Sequence, residues 1–325
     1  MRRFALSAIL TAALAAATAL PAQAEVPKVV VSIKPIHSLV ASVMHGVGEP
    51  ALLVRGGASP HSYTMKPSDA KALSAADLVV WVGPELESFL EKPLKANAPK
   101  ATRLTLMELK GLTLLETREG GAWDAHDHGH EAGHKGHDHK GHDHKGHDHD
   151  EEHEELNSHI WLDPANARAI VKAVAEALAA KDPADAEAYR TNADRTLQQL
   201  DALDAELKAT LAPVKDKPFV VFHDAYQYFE ARYDLSAVGS ITVSPDRRPS
   251  AKRLSAIRAK IGGLGAACVF AEPQFEPALV QTVVEGTKAR TGVLDPEGAG
   301  LPEGEALYPT LLRNLAASLR GCLGA

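Results

Sequence analysis

The chain has 325 residues, 42 acidic against 35 basic side chains, 16 histidines and a formal net charge of −7. That balance argues against nucleic-acid binding and suits a cationic ligand. The length allows one large domain or two lobes with separate cores, and an alanine-rich, aromatic-poor composition suits a helix-rich α/β protein.

The first segment reads as a secretion signal. Arg2 and Arg3 form a basic n-region, Phe4 to Leu20 are apolar, and Pro21-Ala22-Gln23-Ala24 supplies the small residues of a cleavage site. Cleavage is expected after Ala24. The alternative is a membrane anchor, but the run is marginally short for a span and a cleavage site follows it. No cysteine follows it for a lipid anchor, and no later run is long and apolar enough to span. No membrane anchor is therefore expected. Removing residues 1–24 takes away two arginines and no acids, which moves the charge to 33 − 42 = −9.

Strands and helices then alternate. Val29 to Ile33 reads as a buried strand, and Pro35 opens a helix to about His45. Ala51 to Val54 is a short strand, followed by the loop Gly56-Gly57-Ala58-Ser59-Pro60-His61. Pro67 begins a helix, Leu78 to Val82 is a strand, and Pro84 starts another helix. Regular structure stops near Thr117 and resumes as a strand at Ile160-Trp161-Leu162. Asp163-Pro164 then caps a helix to Ala180. Asp182-Pro183 opens a helix to about Leu211, with apolar residues at Leu197, Leu200, Leu203, Leu207 and Leu211. At 1.5 Å per residue it spans roughly 40 Å, long enough to join two halves.

The alternation restarts with a strand at Phe219 to Phe222 and a helix from Asp224 to Tyr233. Strand Leu235 to Thr242, helix Pro249 to Ile261, strand Cys268 to Ala271 and helix Glu276 to Arg290 follow. Val293-Leu294 is a short strand and Glu305 to Leu319 a closing helix. The expected architecture is α/β, with two lobes, each a parallel-type sheet flanked by helices, joined by one long rigid helix. Its bounds are an N-terminal lobe over 25–182, containing a low-complexity loop at 122–155, a linking helix over 183–213 and a C-terminal lobe over 214–325. Ligands of such sheets bind at the carboxyl ends of strands, and in two-lobed proteins between the lobes.

Histidines carry the functional signal. Eleven of the sixteen fall in one tract: His126, His128, His130, His134, His137, His139, His142, His144, His147, His149 and His153. Lys-Gly-His-Asp-His repeats three times within it. Regular glycines and dense charge exclude a packed core, so the tract is expected to be disordered without metal. Imidazoles with interleaved aspartates suit Zn²⁺, Cu²⁺ or Ni²⁺. His130-Glu131-Ala132-Gly133-His134 matches a metalloprotease pattern literally, but that pattern works only on a helix and glycines lie in and around it. Gly262-Gly263-Leu264-Gly265 precedes a strand instead of following one, so it is not a phosphate loop.

Five histidines lie elsewhere. His61 follows the second strand, His159 precedes Ile160-Trp161-Leu162, and His223 follows Phe219 to Phe222. One histidine at a strand end is usually a polar cap. Three of them in a chain with a histidine tract are better explained as ligands. His37, at a helix start, could approach the cleft as an auxiliary ligand. His45, near a helix end, reads as a surface residue helping the last carbonyls. Asp224 reads as an N-cap, or as a partner for a ligand's second ring nitrogen. Cys268 and Cys322 lie in an exported region. A disulfide closing about 55 residues would stabilise by about 4 kcal/mol, and a two-cysteine metal site is the alternative. Wide separation and the lack of nearby histidine favour the bridge.

Several motifs together resemble the cluster A-I metal-binding receptors, and specifically their zinc branch, the ZnuA-type periplasmic receptors of ABC importers. They are Ser32-Ile33-Lys34-Pro35-Ile36-His37-Ser38-Leu39, Gly57-Ala58-Ser59-Pro60-His61-Ser62-Tyr63 with Pro67-Ser68-Asp69 behind it, and Ala76 to Gly83. His159-Ile160-Trp161-Leu162-Asp163-Pro164, Phe222-His223-Asp224-Ala225-Tyr226-Gln227-Tyr228-Phe229 and Gly292-Val293-Leu294-Asp295-Pro296 complete the set. The resemblance covers nearly the whole chain after residue 24.

It implies one metal between two lobes, with His61, His159 and His223 as ligands and Asp295 as the fourth, water being its competitor. Some zinc receptors carry Glu before the first histidine; Pro60 stands there here, which gives Asp295 more weight. The manganese branch replaces one histidine with a carboxylate, so three histidines favour Zn²⁺. The resemblance further implies a histidine-rich insertion, a disulfide consistent with Cys268 and Cys322, no enzymatic activity, a periplasmic location and a membrane permease as partner to a monomeric receptor. Affinity is expected to fall as pH drops through about 6.5. The competing functions are a histidine-rich zinc buffer, a zinc enzyme, and the same receptor serving Mn²⁺.

Overall fold

The computed structural model describes residues 25–118, 155–242, 249–275 and 278–324. The expected signal peptide, the histidine tract from His126 to His153 and the His130–His134 pattern lie outside them. Among the described residues no helix is long and apolar enough to cross a membrane.

The first half holds β1 (Val29–Val31), α1 (Lys34–Val43), β2 (Ala51–Leu52), α2 (Pro67–Ala75), β3 (Leu78–Trp81), α3 (Glu91–Asn97) and β4 (Thr102–Thr105). Its sheet is wholly parallel in the order β2-β1-β3-β4. Two helices follow, α4 (Pro164–Lys181) and α5 (Ala186–Leu211). The second half holds β5 (Pro218–Val221), α6 (Gln227–Tyr233), β6 (Ser236–Ser240), α7 (Ala251–Leu264), β7 (Cys268–Ala271), α8 (Ala278–Val284), β8 (Arg290–Val293) and α9 (Leu307–Leu323). Its parallel sheet has the order β6-β5-β7-β8, the same winding as the first. In each sheet the first strand lies between the next two in sequence, so crossovers leave on both sides of it. The carboxyl ends beside that strand are where open α/β sheets hold ligands.

The halves are not hinged about a thin waist. One apolar cluster runs from Val31, Val80 and Ile36 through Trp161 and Leu203 to Phe219, Phe270, Tyr308 and Leu315. Helix α5 has 26 residues and buries Leu200, Leu203, Leu207 and Leu211 on one side, against α1, α4 and α9. Proline at the first turn starts α1, α2 and α4, and the Asp163 carboxylate caps α4 by accepting from the Ala165 amide at 2.8 Å. Cys268 of β7 and Cys322 of α9 form a disulfide with Cα atoms 6.2 Å apart.

Several boundaries differ from the sequence expectation. Ile160–Leu162 is a 3₁₀ turn, not a strand: Ile160 and Leu162 donate to Ser158 and His159 carbonyls at 2.8 and 3.2 Å. A three-residue buried apolar run looks the same in either state, because periodicity cannot separate them. Strand β4 escapes the pattern because its Thr102-Arg103-Leu104-Thr105 is largely exposed. Pro84 opens a turn, and α3 starts only at Glu91. Asp224 is not an N-cap: α6 begins at Gln227, and the Asp224 carboxylate is bonded to Arg118. His45 does not cap α1 either. Asn192 of α5 donates to the Val43 and His45 carbonyls at 3.0 and 2.8 Å, while His45 pairs with Glu305.

Candidate metal centre

Three histidine side chains converge between the sheets. His61 rides the connection from β2 to α2, whose turn is made possible by Gly56 at φ +67°. The far end of that connection is fixed: the Tyr63 hydroxyl donates to Asp69 at 2.9 Å, and Asp69 also accepts from the Lys66 amide at the start of α2. His159 stands at the head of the 3₁₀ turn packed under α4. His223 lies two residues beyond β5, the strand at the winding switch of the second sheet.

The Nε2 atoms of His61 and His159 are 3.4 Å apart, and those of His223 and His159 are 3.2 Å apart. Nitrogens bound to zinc at the usual distance in a tetrahedron are separated by about 3.3 Å. His159 Nε2 therefore stands at the spacing of a tetrahedron edge from each of the other two, and His61, His159 and His223 form the described group whose ligand atoms all lie within 4.8 Å of one another.

Two of the rings have their tautomer set by buried partners. Asn157, 4% exposed, accepts from the His159 amide at 3.0 Å and from His159 Nδ1 at 2.8 Å through the same oxygen. Its amino group donates to the Asp224 carbonyl and Gln227 Oε1 at 2.9 and 3.0 Å. A backbone donor on one side and a backbone acceptor on the other leave the Asn157 amide only one orientation, so His159 carries its proton on Nδ1. His223 Nδ1 faces Glu272 Oε1 at 2.8 Å, and Tyr226 donates to the same oxygen at 3.2 Å. Glu272 directly follows β7, the neighbour of β5, so adjacent strand ends deliver the histidine and its carboxylate side by side. In both rings Nε2 is left with a bare lone pair turned into the cleft. Two such lone pairs 3.2 Å apart repel unless a cation lies between them.

His61 and His159 themselves are poor acceptors for a proton in that place. Burial, followed by the charge on His223, pushes His61 down to about 3. His159 is held well below its ordinary value by burial, then by His223 and His61. The donor set fits a borderline-soft metal ion that takes neutral imidazole.

Asp295 is not part of the group. Its Oδ1 accepts from Gln274 Nε2 and from the amides of Glu297 and Gly298 at 3.0, 3.1 and 2.9 Å, and its Oδ2 from the Ala299 amide at 2.7 Å. Three groups unnoticed in the sequence line the cleft instead: Glu272, Gln274 and Glu297. Glu297 is held well above the usual carboxylate range by burial, then by Asp295, Glu87 and Glu272. Glu272-Pro273-Gln274 follows a strand at its carboxyl end, and that position was the available signal. His37 lies apart from the cleft, with its Nε2 against the Pro50 carbonyl at 3.0 Å.

Comparison with known proteins gives the family. The family described as ZnuA, zinc-uptake complex component A periplasmic, matches residues 29–322. A "High-affinity zinc uptake system protein ZnuA" of Brucella abortus is 54% identical over 304 residues, covering 91% of each chain. The protein of that name in Paracoccus denitrificans is 42% identical over 98% of each chain. Among solved structures, a ZnuA crystal structure superposes with a TM-score of 0.73 at 24% identity, covering 92% of this chain and 100% of its own. SBP FpvC from Pseudomonas aeruginosa in complex with Mn²⁺ superposes with the same score at 20% identity, over 92% and 99% of the two chains. The shared fold thus does not choose the metal, whereas sequence kinship over nearly the full length does place the protein: the chain belongs to the ZnuA family.

Proposed function

We propose that this chain is an exported receptor that captures one Zn²⁺ in the cleft and delivers it to the permease of an ABC importer. The observation that carries the reading is the cluster of three imidazole nitrogens, two of its edges at tetrahedral spacing and two of its rings with tautomers set by Asn157 and Glu272. His61, His159 and His223 are the ligands, with water in the fourth position where Asp295 was the other candidate. Residues 1–24 are removed on export, and the receptor acts as a monomer in the periplasm. The division at 25–182, 183–213 and 214–325 puts His61 and His159 in one lobe and His223 in the other, so the ion bridges them. Function is capture and not catalysis, so no hydrolytic turnover is expected of the zinc-loaded protein.

Calorimetry on the chain without residues 1–24 and 124–153 tests this. One tight zinc site is expected, and His61→Ala should weaken it by orders of magnitude. Absence of a tight site in that protein would leave only a histidine-rich buffer. Manganese service is disfavoured because the described ligand group is three nitrogens and no carboxylate; a competition titration in which Mn²⁺ displaces Zn²⁺ would reverse this.

A further inference from the structure

Asp295 has no lone pair to spare. Its carboxylate accepts four hydrogen bonds, three from the backbone amides of Glu297, Gly298 and Ala299, and a carboxylate offers about four acceptor positions. The fourth donor is Gln274 Nε2 at 3.0 Å. Because a carboxylate only accepts, this contact fixes the Gln274 amide: nitrogen toward Asp295, oxygen away. That oxygen, Oε1, is buried and has no hydrogen-bond partner among the described residues. Gln274 lines the cleft together with His61, His159 and His223. A buried acceptor held in a fixed direction without a donor is uncommon in folded proteins, and beside a ligand cleft a bound ion's water is a donor that would complete its bonding.

We propose that Gln274 is a fourth cargo-contacting residue: its amide oxygen accepts a hydrogen bond from the water that completes the coordination of the ion held by the three histidines. Asp295 is then a positioning residue that acts through Gln274 and not a ligand. The inference rests on the zinc-site reading above. It explains why a carboxylate near the cleft is spent on three backbone amides and on turning one neutral side-chain amide. The amide oxygen adds no charge, and it can accept from a metal-bound water, whose protons the ion makes better donors.

The test is a double-mutant cycle in the full chain after residue 24. It compares wild type, Gln274→Met, Asp295→Asn and the double variant. Zinc affinity is read by competition with a chelator strong enough to empty the histidine tract, and metal-free melting curves report the fold. Gln274→Met keeps the side-chain volume and removes the acceptor. It should weaken zinc about tenfold, in the range for groups behind metal ligands, with metal-free melting unchanged. It should also alter the visible absorption bands of the Co²⁺-loaded protein. Asp295→Asn should weaken zinc to a similar degree, and the double variant should be no weaker than Asp295→Asn alone, since both act through one contact. If wild type binds zinc tightly but Gln274→Met matches it in affinity and cobalt spectrum, the Gln274 assignment is wrong and the three-histidine site stands. Additive losses dominated by Asp295→Asn would make Asp295 a direct ligand and overturn the relay. A wild type without a tight site would refute the zinc reading itself.

Discussion

Asn157 shows how a single neutral side chain can decide a metal site. All four hydrogen-bonding positions of its amide are used, two on His159 and two on the other half of the molecule. Asn157→Ala releases the His159 ring and should lower zinc affinity by about 10–100-fold, measured by chelator competition. Asn157→Asp keeps the acceptor, loses the donors and should fall between. A titration of Asn157→Ala superimposable on wild type would remove the tautomer argument. The pH response also begins at single residues. The unfolded chain binds protons on its histidines near 6.5, whereas folded His61 binds one only near 3 and His159 well below its ordinary value, burial being the largest cause for both. Between those limits the unfolded state holds more protons, so stability falls as pH falls. The metal-free protein should melt progressively lower from about pH 6.5 toward pH 4. His61→Ala should flatten part of that slope; an unchanged slope would mean that His61 does not contribute.

Between elements, the contact that most deserves testing is Lys34 at the head of α1. Its ammonium is buried and donates to the carbonyls of Gly298, Ala299 and Leu301 at 2.5, 3.1 and 2.8 Å. Burial lowers its pKa, while Asp295, Glu303 and Glu297 oppose that shift. The lysine ties the first helix to the turn that Asp295 organises. Lys34→Ala leaves buried carbonyls unpaired and should cost about 2–3 kcal/mol, read as a lower urea midpoint at constant m. An unchanged midpoint would show that the turn repacks without it. In the second half the disulfide staples β7 to α9 across a sequence separation of 54. Cys322→Ser should lose about 4 kcal/mol on the chain-entropy account, measured by the same unfolding curves. Gly292 of β8 faces that staple. A Cβ there would come within 2.5 Å of the Phe270 ring, so glycine is what lets the strand lie against that ring of the continuous core.

At the level of the whole molecule, α5 and a continuous core make a wide hinge motion expensive. Zinc should therefore leave the radius of gyration unchanged within error in small-angle scattering, with the response confined to the His61 connection and the cleft wall. A contraction on zinc addition would show that the halves do swing. The two-half α/β plan and the long helix were legible in the chain because strand runs, proline starts and leucine spacing are local signals. The three histidines were legible because each sits beside a short motif at a strand end or turn. Ile160–Leu162 was misread because three buried apolar residues carry no period, and β4 was missed because three of its four residues are polar and none is buried. Asn157, Glu272 and Gln274 were invisible for a different reason. Their roles depend on partners 2 to 70 residues away and on which lone pair faces which donor. Residue type and the motifs of the family resemblance pointed to three gathered imidazoles, one on the β2–α2 connection, one at a turn and one beyond a strand end. Only the packing of one sheet's turns against the other's decided their tautomers and tied Asp295 to the backbone, because hydrogen-bond direction is fixed in three dimensions and leaves no periodic trace along the chain.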